Sequence, residues 1–309
     1  MATVGDILAC IDTLAPFRLA MGFDNPGLIV GNREQAVTTA LVAVDATLDV
    51  VEEAHEKGAE LLITHHPLLF QATKKLVEAD AEQKILRRLI QYDISLIAVH
   101  TNYDTAVDGV CWNLARACGI KMERAEPLST DGVKDVLLLE NVEEGPLPLG
   151  VFPGIMAARK MAEEPNVYSI DTNQEGIWGY GLVGPVDAIS TQALAQRVKD
   201  VLAATCVKYT GPADREIKRL AAACGSGVSV FDAALRMGAD AIVTGEVRYN
   251  EALFYTQMGL SIIEAGHFDT EKSILDDLTN RLQNSLLGLQ YNVRVFAAEN
   301  SMDVYTGAV

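Results

Sequence analysis

One pattern constrains this chain more than any other: short β-branched and aliphatic runs that end in polar residues, each followed by a stretch with helical apolar spacing. The runs are TALVAVDAT (39–47), AELLITHH (59–66), ISLIAVH (94–100), ADAIVTGE (239–246) and LSIIEAGH (260–267). Segments such as LDVVEEAHEKGA and AEQKILRRLIQYD lie between them. Strands alternating with helices imply βαβ units and largely parallel sheets, an α/β fold. The 309 residues exceed one average domain, so a large domain with a smaller insertion is the natural division.

Residues 126–176 break the rhythm. EPLSTDGVKDVLLLENVEEGPLPLGVFPG is rich in Pro, Gly and acids, and is followed by the helix-like IMAARKMAEE and the strand-like NVYSI. The expected organisation is a first α/β part over 1–125, a small inserted α+β module over 126–176, and a second α/β part over 177–309.

In open α/β sheets, ligands bind beyond the carboxyl ends of the strands, where loops carry polar groups without burying them unpaired. Four of the five histidines, His65, His66, His100 and His267, end predicted strands. His55 falls mid-helix and reads as a solvated surface residue.

In THHPLLF, adjacent histidines on an extended segment point to opposite sides, so each could face a different metal; a chance pair capping a strand is the competing reading. HTNYD adds Asp104, placed on the loop after its strand, whose two oxygens suit it to bridging two cations; a local Asn-Asp turn would explain the same letters. In AGHFDTEKSILDDL, a helix starting at about Asp269, its expected N-cap, puts Glu271 in the first turn and on the same side as His267. His267 could also be a satisfied strand-end histidine. Together, three histidines, one aspartate and one glutamate from three segments exceed the needs of one ion and suit two. Imidazole and carboxylate donors fit Zn, Mn, Fe or Ni.

Composition narrows the partners. A formal charge of −17 repels nucleic acid, so direct nucleic-acid contact is not expected. Five cysteines form an odd set with no CxxC pair, which fits a reducing, cytoplasmic setting. No apolar run approaches the length of a bilayer span, and the N-terminal MATVGDILACIDTLAPF has the stripe of a core helix, not a signal peptide.

FDNPGLIVG (23–31), THHPLLF (64–70), VHTNYD (99–104), CGSG (224–227), ADAIVTGEVRYNEAL (239–253) and AGHFDTE (265–271) resemble, in order, the blocks of the GTP cyclohydrolase 1 type 2 homologue family, hexameric proteins with a dinuclear metal centre. The resemblance covers roughly 1–122 and 176–309. It implies two similar α/β halves around mixed sheets, a homohexameric ring, and metal ligands at His65, His66, Asp104, His267 and Glu271. His100 matches a further histidine, a weak ligand or a partner to one. The insert is shorter than the family's long version. Where that family commonly carries a histidine after the tyrosine of the TGD-like block, this chain reads Glu246, Arg248, Tyr249 and Asn250.

The expected function is metal-dependent hydrolysis of a nucleotide or related compound, with two divalent ions per chain. Glu246 is the candidate general base, because it ends a neighbouring strand, and Arg248 the candidate anion contact. The alternative is a metal storage or delivery protein without turnover. A transcription-associated interaction module rests on family association alone.

Overall fold

The computed structural model describes residues 1–130 and 178–307, with the backbone of three strands between them, Lys134–Leu138, Ala157–Lys160 and Val167–Asp171. Two mixed sheets carry the fold. The first, five-stranded, runs Arg294–Ala297, Thr39–Ala43, Leu61–Thr64, Ser95–Ala98, Gly27–Val30; all its pairings are parallel except the last. The second, six-stranded, runs Lys208–Tyr209, Ser261–Glu264, Ala241–Thr244, Glu216–Ala223, Tyr180–Ser190, Glu126–Ser129. Its three central strands are parallel and its outer pairings antiparallel. The expected α/β class with mixed sheets is what the chain adopts.

The runs read from the sequence are these parallel strands, and their residues are apolar on both faces because helices cover both. Leu41, Ala43, Leu62 and Leu96 pack with Val50, Val51 and Leu89 of the helices Leu48–Glu56 and Ala81–Gln91. Their strand neighbours Ala40, Val42, Leu61, Ile63 and Ile97 join a second, larger core. Ile7 and Ile11 of the helix Val4–Leu14 and Ile274, Leu278 and Leu282 of Ser273–Gly288 belong to that same core. The period-2 alternation thus sorts each strand between two cores.

Two strands lie apart in sequence from the rest of their sheets. Arg294–Ala297, near the C-terminus, pairs with Thr39–Ala43 of the first sheet. Glu126–Ser129, at the start of the expected insert, pairs with Tyr180–Ser190 of the second. Within the insert, Val167–Asp171 is central to a three-stranded antiparallel sheet, flanked by Lys134–Leu138 and Ala157–Lys160. The strand expected over NVYSI is present, but Ala157–Lys160 falls inside IMAARKMAEE, where a helix was expected. Pairing with a neighbouring strand overrides the local helical preference of that Ala-rich run. The remaining residues of the expected module, from 131 to 176, lie outside the described residues, as does residue 177. Among the described residues, no helix is long and apolar enough to cross a membrane.

The return of the C-terminal strand is fastened by Glu53. Its buried carboxylate accepts the backbone N–H of Glu299 at 2.9 Å and of Asn300 at 2.8 Å, and pairs with Lys57 at 3.0 Å. Burial pushes this carboxyl up, but the two N–H donors and Lys57 outweigh it and hold it below its ordinary 4.5. A depressed carboxyl contributes stability above its unfolded value, and the contribution disappears as pH falls through the folded one. Glu53→Gln is therefore expected to cost about 2 kcal/mol near neutrality, the scale of hydrogen bonds to a charged group. Urea unfolding at about pH 7 and about pH 3 should show the gap between variant and wild type closing in acid. An equal gap at both would refute the assignment of this stability to charge.

Candidate metal centre

Three neighbouring parallel strands of each sheet, in the first sheet those other than Arg294–Ala297, form a triplet, and the carboxyl ends of the two triplets meet at one point. Beyond Thr39–Ala43 comes Asp45, beyond Leu61–Thr64 come His65 and His66, and beyond Ser95–Ala98 comes His100. From the second sheet, Cys224 and Gly225 follow Glu216–Ala223, Gly245 and Glu246 follow Ala241–Thr244, and His267 follows Ser261–Glu264. In each triplet the third strand leads into a one-turn helix, Thr101–Thr105 or His267–Glu271. Each turn carries a carboxylate four residues past a histidine: Asp104 after His100, and Glu271 after His267.

Two expectations about local structure are corrected here. Asp104 sits on a helical turn, not a loop, because the Tyr103 and Asp104 N–H groups both bond the His100 carbonyl. The helix holding Glu271 starts at His267 and not near Asp269, with Gly266 (φ 96°) as its N-cap. Glu271 therefore ends the turn, and its proximity to His267 owes nothing to a helix N-terminus. Asp269 does not cap; it pairs with Lys272 at 2.5 Å.

The imidazoles crowd together. Ring centroids of His66 lie 5.0 Å from His65, 5.4 Å from His100 and 5.3 Å from His267. Each ring has its Nδ1 beside an oxygen. His65 Nδ1 meets the Val99 carbonyl at 2.9 Å, His66 Nδ1 meets Asp45 at 2.8 Å, and His100 Nδ1 meets Asp24 at 2.8 Å. His267 Nδ1 stands 3.4 Å from Glu246. With the proton drawn to Nδ1, the Nε2 lone pair is left free to face a cation.

The Nε2 atoms of three of these rings gather around Glu271, which is 2% exposed. Its Oε1 lies 3.8 Å from His65 Nε2; its Oε2 lies 3.1 Å from His66 Nε2 and 3.3 Å from His267 Nε2. Asp104 Oδ1 reaches only His65 Nε2 among the imidazoles, at 3.5 Å. Asp104 was expected to be the shared carboxylate, but Glu271 occupies the position between the imidazoles, because its helical turn enters from the opposite sheet. The side chains of His65 and His66 do not diverge as alternation on a strand suggests; past the last strand residue both turn towards the same carboxylate.

A cation fits this arrangement. His65 Nε2 and Glu271 Oε2 are buried without a hydrogen-bond partner, a costly state unless another group satisfies them. Two overlapping sets, His65/His66/His100 and His66/His267/Glu271, each place their donor atoms within 4.8 Å of one another and could hold a metal ion. Charge tells the same story. Burial would lower the His66 imidazole, but Asp45 and Glu271 carry it up to about 10. Burial would raise Glu271, but the charge of His65 and the imidazole nitrogens of His267 and His66 crowded against it hold it well below the usual carboxylate range. Protons thus balance the buried anion where a cation would otherwise do so.

With this geometry established, comparison with known proteins identifies the chain. The Duf34/NIF3 (NGG1p interacting factor 3) family matches residues 2–303. The chain belongs to this family. A "GTP cyclohydrolase 1 type 2 homolog" of Clostridium acetobutylicum is 28% identical over 302 residues, 98% of this chain and 97% of the relative. One from Clostridium perfringens is 30% identical, over 92% of each. A Staphylococcus aureus hypothetical protein of known structure superposes with a TM-score of 0.82 at 28% identity, over 99% of both chains. Reduced HcgD from Methanocaldococcus jannaschii shares the fold, with a TM-score of 0.68 at 22% identity over 96% of this chain and 98% of its own.

Within this family fold, the structure brings together His65, His66, His100, Asp104, His267 and Glu271. Glu246 stands beside His267, at the rim. Arg248 does not join them: its side chain is 86% exposed and lies 3.7 Å from Glu251. Asp24, Asp45 and Cys224 escaped the sequence reading. Asp45 was readable, as it ends the VAVD run at a strand terminus like the histidines; Asp24 sits in a loop with no periodic signal.

Glycine is required at 225. Its φ is +54°, and a Cβ there would lie 2.3 Å from Glu271 Oε1 and 3.2 Å from His267 Nε2. Gly225→Ala is expected to displace the Glu271 carboxylate, lower metal content and cost about 1–3 kcal/mol through backbone strain. Metal analysis alongside thermal unfolding checks this; a variant with wild-type metal content would contradict the placement of Glu271.

Proposed function

We propose that the protein is a dinuclear metal-dependent hydrolase acting on a nucleotide or related compound, with His65, His66, Asp104, His267 and Glu271 as ligands and His100 as a further ligand or partner. The observation that carries the reading is the set of Nδ1-anchored imidazoles whose Nε2 atoms surround a buried carboxylate. Glu271, its Oε1 facing His65 and its Oε2 facing His66 and His267, would hold the ions together with those histidines. Two divalent ions, Zn, Mn, Fe or Ni, would supply Lewis acidity, activating water and polarising the attacked centre.

Space for a substrate supports the same reading. A cavity of about 620 Å³ adjoins the cluster, with Asp45, His66, Glu246, His267, Met302 and Tyr305 in its wall. This is the size range of small-molecule sites. Glu246 is the candidate proton acceptor, exposed in that wall, and its contact with His267 gives it the second task of orienting the ring. Arg248 is not part of the wall. The names of the clostridial relatives point to GTP or a related purine.

A non-catalytic metal storage or delivery role is the second reading. It is favoured by one observation: Asp24, Asp45 and Glu246 each stand against an imidazole, which leaves no unengaged carboxylate beside the imidazoles among the described residues. Turnover of GTP and of a phosphoester panel by metal-loaded protein separates the two. Wild type is expected to turn over, and His65→Ala and His267→Ala to fall to background. If all three share one background rate while only wild type retains metal, the storage reading replaces the enzyme.

We also propose homohexameric assembly, without direct nucleic-acid contact. The helix Tyr249–Gln257 contributes no buried residue, and Tyr249, Leu253, Phe254 and the adjoining Met258 form an exposed apolar surface. Such surfaces mark protein interfaces. Leu253→Glu with Phe254→Glu should reduce the mass measured by light scattering without lowering the unfolding temperature of the protomer. An unchanged mass would place the interface elsewhere.

A further inference from the structure

Two thiols that the proposed hydrolytic site does not use reach Asp104 at Oδ1, the same oxygen that lies 3.5 Å from His65 Nε2. Cys224 Sγ donates to Asp104 Oδ1 at 3.1 Å, and Cys111 Sγ stands 3.2 Å from Cys224 Sγ. Both cysteines are buried. Since the Cys224 proton points to the carboxylate, the Cys111 proton points to the Cys224 sulfur, giving a chain from thiol to thiol to carboxylate.

The direction of the Cys224 side chain is fixed by its surroundings. Its carbonyl accepts the Tyr180 hydroxyl at 2.7 Å. The next residue, Gly225, donates its N–H to the Thr270 hydroxyl at 3.1 Å and accepts from the N–H of Gly245 at 2.9 Å and of Glu246 at 3.1 Å. Cys111 arrives from the helix Val110–Cys118, which follows the Asp104 turn in the chain, whereas Cys224 comes directly after the strand Glu216–Ala223 of the other sheet. The contact of Cys224 with Asp104 therefore joins the end of a second-sheet strand to the turn that follows the first sheet.

We infer that Cys224 is a positioning residue, whose thiol, backed by Cys111, holds the Asp104 carboxylate in the orientation that presents it to a metal ion beside His65. The chemistry suits the task. A thiol is a weak donor, so it fixes one oxygen of Asp104 without drawing off the negative charge that a cation needs. A partner that orients a ligating carboxylate typically changes metal affinity by about 10–100-fold.

The inference rests on the proposed metal site, so the test has one arm with metal and one without. Zinc titration of the full-length protein should give Cys224→Ala an affinity about 10–100-fold weaker than wild type. Cys224→Ser, which keeps a donor, should recover most of the loss, and Cys111→Ala should show a smaller one. In metal-free protein, the infrared S–H stretch of Cys224, read in Cys111→Ala, should lie at the low frequency of a hydrogen-bonded thiol and rise when Asp104→Ala is added. Zinc affinity of Cys224→Ala equal to wild type would overturn the inference, as would a Ser variant as weak as Ala or a stretch insensitive to Asp104. If wild type binds no zinc but the stretch responds, the metal reading fails while the thiol still orients the carboxylate.

Discussion

The arrangement depends on one constraint: an imidazole has two nitrogens, and committing one to a fixed oxygen decides where the other points. His65 is held by a backbone carbonyl, His66 by Asp45 and His100 by Asp24, while Glu246 stands by His267. These anchors come from strand ends and loops whose own positions are set by the sheets. The Nε2 atoms of His65, His66 and His267 are then directed at Glu271, a carboxylate too deeply buried to be left to water. Its negative charge must be balanced from within, by imidazolium protons or by a cation.

The fold supplies this geometry twice. Each sheet contributes a parallel triplet, and each triplet ends in a histidine, a single helical turn and a carboxylate four residues on. Parallel strands place all their carboxyl ends on one edge, so two such edges facing one another can assemble ligands distant in sequence. Close approach then demands small residues, which is why Gly225 and Gly245 stand where a side chain would strike Glu271 or His267. A carboxylate entering from each side lets the first sheet supply Asp104 to one flank of His65 and the second sheet place Glu271 among three rings.

Much of this was legible in the sequence. Short β-branched and aliphatic runs, each followed by helical spacing, located the parallel strands. Polar residues at strand ends located the histidines, because an imidazole at the end of a buried strand needs a partner to satisfy its nitrogens. The sheet partners of Glu126–Ser129 and Arg294–Ala297 were not legible, since strand pairing is decided by residues far away in the chain. The same non-locality turned Ala157–Lys160 into a strand. The exchange of roles between Asp104 and Glu271 was hidden for a related reason: which carboxylate lies between the rings depends on how two sheets face one another, and no local pattern encodes that. Asp24 could not be found from spacing, because it lies in an irregular loop and reaches His100 across 76 residues of chain.

A dinuclear centre requires cations in the space between these rings. Elemental analysis of protein purified without chelator or added metal tests this most directly. The predicted result is about two first-row divalent ions per chain, the number that the ligand set is suited to hold. Fewer than about one ion per chain, with all five proposed ligands intact, would contradict it.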